Sequence, residues 1–151
     1  NLVVHASALP HGRGWSPLTW QILEGKNDIP VSLIEAAPGV DTGDIHAQRM
    51  LHFQGHELVS ELRAGVASAT LALCLGFVEE FPFNAAGARP QTGSPSYYPR
   101  RRRADSRLDP DKTFRDQFNL LRVCDPDRYP AYLEIAGRRF EVRVTPVAAE
   151  S

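Results

Sequence analysis

A histidine and an aspartate near the start of the chain each follow an apolar run. His5 comes directly after residues 2–4, and Asp41 lies in the loop after the apolar run 29–34. Open α/β sheets place their chemistry at the ends of buried parallel strands, so we expect both runs to be neighbouring parallel strands that carry these side chains to one crevice. An imidazole and a carboxylate in one crevice can act as acid and base. The spacing therefore predicts a site built on His5 and Asp41.

The residues around this pair form an ordered series of short motifs. The series is His5-Ala6-Ser7-Ala8-Leu9-Pro10, Arg13-Gly14, Pro17, Gly25, Pro30-Val31 and Asp41-Thr42-Gly43-Asp44-Ile45. It resembles the formyltransferase family that uses 10-formyltetrahydrofolate, which includes methionyl-tRNA formyltransferases and sugar-nucleotide N-formyltransferases. Several matched motifs in order are specific, whereas the DTGD motif alone would be weak. Residues 100–132 also resemble the segment that follows the catalytic domain in these enzymes.

The resemblance implies catalytic roles for three residues. Formyl transfer to an amine passes through an oxyanion, so the site needs a donor to that oxygen and an acceptor for the amine proton. The resemblance implies that His5 faces the formyl oxygen and that Asp41 orients the imidazole and helps to receive the proton. The family also has an asparagine two residues before the histidine, where this chain has Val3. Asn1 lies roughly 7 Å further away on the same side of an extended strand, so it could serve only through a bulge or a shift.

The resemblance also implies a binding pocket for 10-formyltetrahydrofolate. Ser7, Leu9 and Pro10 match the loop that shapes the folate pocket, and residues from Ile34 to Val40 match the loop around the pteridine end. Taken alone, each of these segments is equally well explained by a structural turn. His52 and His56 have the i, i+4 spacing of a zinc pair, but Gly55 separates them and no HExxH glutamate follows, so we predict no metal site there.

The hydrophobic pattern predicts an α/β fold. Apolar residues at helical spacing predict a long helix over residues 57–80, and its glycines, Gly65 and Gly76, are expected where it packs closely on a sheet. Before this helix, two apolar runs predict strands over residues 29–36 and 44–53. With the strand that ends at His5, the resemblance implies that these elements form the C-terminal half of a formyltransferase-type, Rossmann-like sheet domain.

Two pairs of a polar residue and a proline predict helix starts. Ser16 is expected to cap a short helix that begins at Pro17 and ends at Gly25. Asp109-Pro110 predicts a later helix with Phe114, Phe118 and Leu121 on its apolar face. The alternation on either side of Gly137 predicts a β-hairpin of residues 131–135 and 139–144.

A stretch rich in proline and glycine divides the chain. We expect a catalytic domain over residues 1–81, a linker over residues 82–97, and a helix-plus-hairpin extension over residues 98–145. The chain starts at Asn1, inside an expected strand. We therefore expect this sequence to be an N-terminally truncated fragment that is inactive alone, and its exposed strand edge suggests a possible homo-oligomer.

Composition places the chain among ordinary globular domains. The 151 residues have a formal net charge of −1, which gives no general attraction to nucleic acid or acidic membranes. Cys74 and Cys124 are expected to be buried free thiols in a reducing compartment. No leader and no membrane-length apolar run is apparent, so we expect a cytoplasmic protein without a membrane partner.

The identity of the amine acceptor stays open at this point. The short extension leaves no room for a full tRNA-binding domain, which favours a nucleotide-linked amino sugar over an aminoacyl-tRNA. Val3 favours a different class of function, a non-catalytic formyltransferase-like module that binds folate or serves assembly. Arg100 to Arg103 suggest a third, an RNA-contact module, although Asp105, Asp109 and Asp111 follow closely and weaken the positive field.

Overall fold

A three-stranded sheet forms the centre of the first part of the chain. The computed structural model describes residues 1–147, and its first strands are β1 (Leu2–His5), β2 (Arg13–Gly14), β3 (Asp28–Glu35) and β4 (Ile45–His52). The strand order is β1-β3-β4. β3 lies in the middle because Ile29, Val31 and Leu33 on one side and Ser32 and Ile34 on the other are all buried.

The strands of this sheet are antiparallel, so the predicted parallel arrangement is wrong. His5 lies opposite Ser32, and Leu2 lies opposite Glu35. β4 also runs antiparallel to β3. Parallel neighbours need a crossover of about a dozen or more residues, usually a helix, and the loop between β3 and β4 is too short to supply one.

The short helix α1 (Pro17–Leu23) begins at Pro17, as predicted, and ends two residues before Gly25, but its cap differs. Ser16 has a φ of 50° and makes no side-chain hydrogen bond to the helix amides. The residue before it, Trp15, donates its backbone N–H to the Tyr98 carbonyl. The pairing with residue 98 fixes how the chain enters the helix, and the serine hydroxyl is not used as a cap.

The long helix α2 (Val59–Glu80) covers the sheet and confirms the predicted helix. At its start the Glu61 carboxylate accepts a 2.8 Å hydrogen bond from the backbone N–H of the N-cap residue Leu58. Its inner side contributes Ala69 and Leu73 to the core formed with Ala6, Val31 and Leu33. The helix therefore shields one face of the sheet from water.

The outer side of α2 is apolar and exposed. Leu71, Leu75 and Val78 all lie on it. Cys74 is exposed there as well, so the prediction of two buried thiols holds only for Cys124. By length and composition α2 could cross a membrane, but one such helix is weak evidence, since core helices of soluble proteins pass the same test.

The segment after α2 folds back onto the first part of the chain. β5 (Tyr97–Tyr98) pairs in parallel with β2, and Arg89 exchanges two backbone hydrogen bonds with Ile45. The contacts divide the chain after Arg101, whereas the sequence predicted a linker over residues 82–97. Residues 82–97 are thus part of the first compact unit.

The second compact unit, from Arg102 onward, has its own core of Leu108, Leu121, Cys124 and Ala131. Its elements are two 3-10 turns (Arg103–Ser106 and Arg115–Gln117), helix α3 (Phe118–Val123) and the hairpin of β6 (Ala131–Ile135) and β7 (Arg138–Val142). The hairpin confirms the prediction. The helix starts later than the Asp109-Pro110 pair predicted, because the Gln117 side chain bonds both backbone groups of Asp109 and closes a turn there.

Together the two units make an α/β protein, as predicted.

Candidate active site

His5 is the last residue of β1, and its side chain is only 8% exposed. The ring has an oxygen beside each nitrogen. Nε2 lies 2.8 Å from the Gly12 carbonyl oxygen, and Nδ1 lies 3.5 Å from Asp41 Oδ1. A carbonyl oxygen can only accept, so the contact with Gly12 requires the proton on Nε2.

Asp41 reaches His5 from the loop between β3 and β4. Its side chain is 17% exposed, and Oδ2 accepts a hydrogen bond of 2.8 Å from the backbone N–H of Gly14. The loop is closed at its base, where the Glu35 N–H donates to the Asp44 carbonyl. Gly43 is needed here, because a Cβ on it would collide with the Glu35 carbonyl.

The predicted meeting of His5 and Asp41 is confirmed, but for a different reason. In the antiparallel sheet the end of β3 lies opposite Leu2, and His5 lies opposite Ser32 in the middle of β3. The loop after β3 therefore has to reach back along the strands to bring Asp41 to the imidazole. Loop geometry, not adjacent strand ends, makes this pair.

Asn1 is not brought to the same place. β1 pairs with β3 in continuous register from Leu2 to His5, so no bulge shortens the distance. The Asn1 carbonyl accepts a hydrogen bond from the backbone N–H of Ala36, and the residue is exposed. Asn1 was expected to act only through a bulge or a shift in the strand, and β1 has neither between Leu2 and His5.

The five predicted folate-pocket residues differ in their surroundings. Leu9 and Ile34 pack with Ile45 in one buried cluster, and Pro10 is buried beside Leu9 in sequence. Ser7 is 1% exposed, and its Oγ has no hydrogen-bond partner within residues 1–147. Val40, by contrast, is 61% exposed. The first four are buried, whereas Val40 presents an apolar side chain to solvent on the Asp41 loop.

Sequence patterns gave no role to four residues that hold this pair. The backbone groups of Gly12 and Gly14 contact His5 and Asp41 directly. Gln91 donates from Nε2 to the carbonyls of Asp41 and Gly43, and Ser96 accepts the Gly12 N–H on its Oγ. Both side chains come from the stretch interpreted as a linker, where no periodicity marks a position. The RG motif was the only signal, and it pointed to the glycine at residue 14.

The Tyr98 ring packs closely against the loop that contains Gly12. A Cβ on Gly12 would lie 2.7 Å from the Tyr98 ring, so this close approach requires glycine. Burial raises the pKa of Tyr98 to about 12, with a further contribution from its hydrogen bond to the Glu24 carboxylate. The phenol therefore remains a neutral donor at any pH near neutrality.

An aromatic and cationic surface lies next to the site in sequence. Trp15, directly after Gly14, is 57% exposed, and the Arg100 guanidinium lies 5.0 Å from its ring centroid. Trp20 instead stacks on Tyr98 and donates to the Pro99 carbonyl, as expected of a packing residue. The exposed indole face and the guanidinium together suit a ligand that carries a planar ring or a phosphate.

No group of three or more metal-ligating side chains occurs in the part of the chain that the structure describes. His52, one of the two histidines at zinc-like spacing, pairs with Asp28 at 2.7 Å.

Two curated relatives match most of this chain. It is 30% identical over 123 residues to the methionyl-tRNA formyltransferase of Pelotomaculum thermopropionicum, which covers 82% of this chain and 39% of the relative. It is 28% identical over 149 residues to that of Lactobacillus acidophilus, which covers 98% of this chain and 47% of the relative. The chain thus spans less than half the length of these relatives. No protein-family model matches it.

Solved structures give the same result. A methionyl-tRNA formyltransferase from Clostridium thermocellum has a TM-score of 0.81 and 25% identity, covering 97% of this chain and 63% of that one. These matches support a formyltransferase family for this chain, which covers only part of those proteins. The formyltransferase fold also appears in a likely sugar N-formyltransferase from Mycobacterium tuberculosis, with a TM-score of 0.79, 22% identity, and coverage of 99% and 66%. HypX from Aquifex aeolicus in complex with tetrahydrofolic acid has a TM-score of 0.80, 20% identity, and coverage of 95% and 25%.

Proposed function

We propose that this chain contributes the catalytic residues of an N-formyltransferase that moves a formyl group from 10-formyltetrahydrofolate to a primary amine. The observation that carries the proposal is the His5–Asp41 pair, in which Nδ1 lies 3.5 Å from the carboxylate and Nε2 lies 2.8 Å from the Gly12 carbonyl oxygen. A buried donor of this kind suits the charge that develops on a formyl oxygen.

The residues divide the reaction as follows. The amine attacks the formyl carbon, a new C–N bond forms, and the negative charge moves to the formyl oxygen, where His5 Nε2–H donates a hydrogen bond. The Asp41 carboxylate holds the ring and receives the proton released by the amine. The bond to the tetrahydrofolate nitrogen then breaks, and that nitrogen takes up the proton. The formyl oxygen competes with the Gly12 carbonyl for the Nε2 proton, so substrate binding replaces that contact.

The named relatives support both substrates. The tetrahydrofolate in the HypX structure supports a folate donor, and the relatives named for methionyl-tRNA and for sugars support an amine carried on a nucleotide. The exposed Trp15 ring with Arg100 over it suits the planar base or the phosphate of such an acceptor. We further propose that the protein acts in the cytoplasm. Its possible self-association stays a prediction, and the apolar outer side of α2 supports it.

The second candidate is a non-catalytic folate-binding module. Val3 favours it, since a valine stands where the family has an asparagine, and Asn1 is not brought to His5. In this case His5 Nε2 would keep its hydrogen bond to the Gly12 carbonyl. Folate binding without turnover is the result that this candidate predicts.

The test is a transfer assay on the protein expressed from its own gene, with the 151 residues alone as a second sample. 10-Formyltetrahydrofolate is offered with an amino-sugar nucleotide or with charged initiator tRNA, and the formylated product is followed by mass spectrometry. His5→Asn serves as the disabled variant, and His52→Asn, which removes an exposed histidine paired with Asp28, is its control. We expect the amine to be formylated by the wild type and the His52 variant only. Folate binding by all samples without product would instead support the non-catalytic module.

A further inference from the structure

One glutamine connects the Asp41 loop to the strand beside it. Gln91 Nε2 donates to the carbonyl oxygens of Asp41 and Gly43, each at 2.8 Å. Its Oε1 accepts from the Arg13 guanidinium, at 2.6 Å from Nη2 and 3.2 Å from Nε. Both donor hydrogens and the acceptor of this amide are therefore engaged. The result is a polar link between the loop that carries Asp41 and the β2 segment.

Ser96 holds the other side of the imidazole in a similar way. Its Oγ accepts a 2.9 Å hydrogen bond from the Gly12 N–H, and its carbonyl accepts the Arg13 N–H at 3.0 Å. Its own N–H donates to the Pro10 carbonyl at 3.2 Å. Gly12 is also the residue whose carbonyl accepts the hydrogen bond from His5 Nε2. Ser96 thus orients the peptide that faces one ring nitrogen, while Gln91 orients the loop that faces the other.

We propose that Gln91 and Ser96 are positioning residues for the His5–Asp41 pair. Neither touches His5, and each acts through the residue that contacts one of its two nitrogens. The two loops that supply these contacts are irregular, and Asp41 itself has a φ of 51°, which few residues adopt without support. The stretch that the sequence marks as a linker is, in this proposal, part of the catalytic machinery. The effect on turnover rests on the proposed function, whereas the effect on geometry does not.

Gln91→Glu removes the side-chain donor to the Asp41 loop and keeps the acceptor for Arg13. The glutamate keeps an acceptor for Arg13 and gains an ion pair with it, so folding is preserved. It cannot donate, and it places a carboxylate oxygen against the carbonyls of Asp41 and Gly43. The matched control is Gln117→Glu, since Gln117 Nε2 also donates to backbone carbonyls, those of Asp109, Lys112 and Thr113, in the second compact unit.

Geometry is measured first, on the full protein. Amide hydrogen exchange reports the loop 36–44, and the ¹⁵N shifts of the labelled His5 ring report which nitrogens hold protons, with His5→Asn used to assign the signals. We expect Gln91→Glu to speed exchange of the loop about tenfold or more and to change the His5 ring shifts. Gln117→Glu should leave both unchanged. Wild-type exchange and ring shifts in the Gln91 variant would overturn the proposal.

Ser96→Ala tests the second residue independently. Removing the hydroxyl leaves the Gly12 N–H without its acceptor, so we expect the Nε2 shift of His5 to change while exchange of the loop 36–44 does not. The exposed neighbour Ser94→Ala is the control. An unchanged Nε2 shift would remove Ser96 from the proposal.

Turnover is measured second, with the acceptor that the wild type formylates. Misplacement of a reacting group by about 1 Å can lower the rate about 10²-fold, so we expect kcat to fall in Gln91→Glu while the KM for the folate donor stays close to that of wild type. A rise in KM with kcat unchanged would contradict a positioning role. If the wild type forms no product but the exchange and shift changes occur, the proposed function fails and the positioning of the pair stands.

Discussion

The two oxygens around the His5 ring decide what this residue can do. The Gly12 carbonyl can only accept, so the ring donates to it from Nε2, and the Asp41 carboxylate lies beside Nδ1 on the other side of the ring. Such a ring is a hydrogen-bond donor to a developing oxyanion. Asp41 is also held by the Gly14 N–H, and this leaves its second oxygen for the histidine.

Removal of either partner should lower formyl transfer about 10²-fold or more, because a single oxyanion donor typically contributes that much. Asp41→Asn keeps an acceptor for the Gly14 N–H and removes the charge beside the ring, while His5→Ala removes the donor. The rate of tetrahydrofolate release with saturating acceptor is the measurement. Asp28→Asn, which removes an exposed carboxylate paired with His52, should turn over like wild type. Wild-type rates in the His5 and Asp41 variants would exclude both residues from the reaction.

Tyr98 and Glu24 give a pH prediction at the same scale. The pKa of Tyr98 is raised to about 12 by burial and then by the Glu24 carboxylate, and the pKa of Glu24 is lowered by its hydrogen bond to Lys26, more than burial raises it, with Tyr98 contributing. A raised tyrosine pKa stabilises the fold below the ordinary tyrosine pKa of about 10, and this stability is lost as the pH rises through about 12. The Glu24 contribution is lost at the other end, as the pH falls through its lowered pKa.

Glu24→Gln should therefore lower the pH at which Tyr98 ionises, because it removes the neighbouring negative charge. Ultraviolet titration of tyrosinate, compared with Tyr98→Phe to identify the signal, measures the shift. Glu141→Gln, a change at an exposed carboxylate in the second compact unit, is the control. An unchanged Tyr98 titration in the Glu24 variant would show that burial alone raises its pKa.

At the scale of elements, patterns predicted what is buried better than how it is connected. The apolar run of β3 and the helical period of α2 are direct consequences of burial, and both elements form close to the predicted bounds. Strand direction leaves no such trace, since a buried central strand has the same composition in either orientation. The Ser16 cap and the Asp109-Pro110 helix start failed for a related reason. Contacts with distant residues, Tyr98 and Gln117, decided the local backbone.

The two glycines within α2 lie in different surroundings. A Cβ on Gly65 would lie 3.1 Å from the Phe53 ring, whereas a Cβ on Gly76 would meet nothing within 4 Å. The expected close packing on the sheet side is therefore present only at Gly65. Gly76→Ala should raise the free energy of unfolding by up to about 1 kcal/mol, the usual difference in helix propensity.

Gly65→Ala should give less than this gain, because Phe53 has to move to accept the methyl group and overpacking of this kind costs about 1–3 kcal/mol. Denaturant titration of both variants against wild type measures the difference. Equal gains at the two positions would show that Phe53 moves freely and that Gly65 is not required by packing.

At the scale of the molecule, the chain consists of two units with separate cores. Val31 and Leu33 lie in the core of the first, and Leu121 and Ala131 lie in the core of the second. The existence of a second unit was predictable from the change in composition after α2. Its starting point was not, because Gln91 and Ser96 lie in a proline- and glycine-rich stretch that would be typical of a linker, yet their hydrogen bonds belong to the first unit. Side-chain hydrogen bonds of this kind have no sequence period.

Separate cores imply that damage to one unit stays within it. Leu121→Ala removes a buried side chain from the second core, and Leu33→Ala removes one from the first, and each should cost about 2–5 kcal/mol of unfolding free energy in its own unit. Amide hydrogen exchange resolves where the cost appears. We expect Leu121→Ala to speed exchange in residues 102–147 and leave the protected amides of β3 unchanged, and Leu33→Ala to do the reverse. Faster exchange throughout the chain in either variant would show that the two cores unfold as one cooperative unit, and the His5–Asp41 site would then depend on the packing of the second core as much as on that of the first.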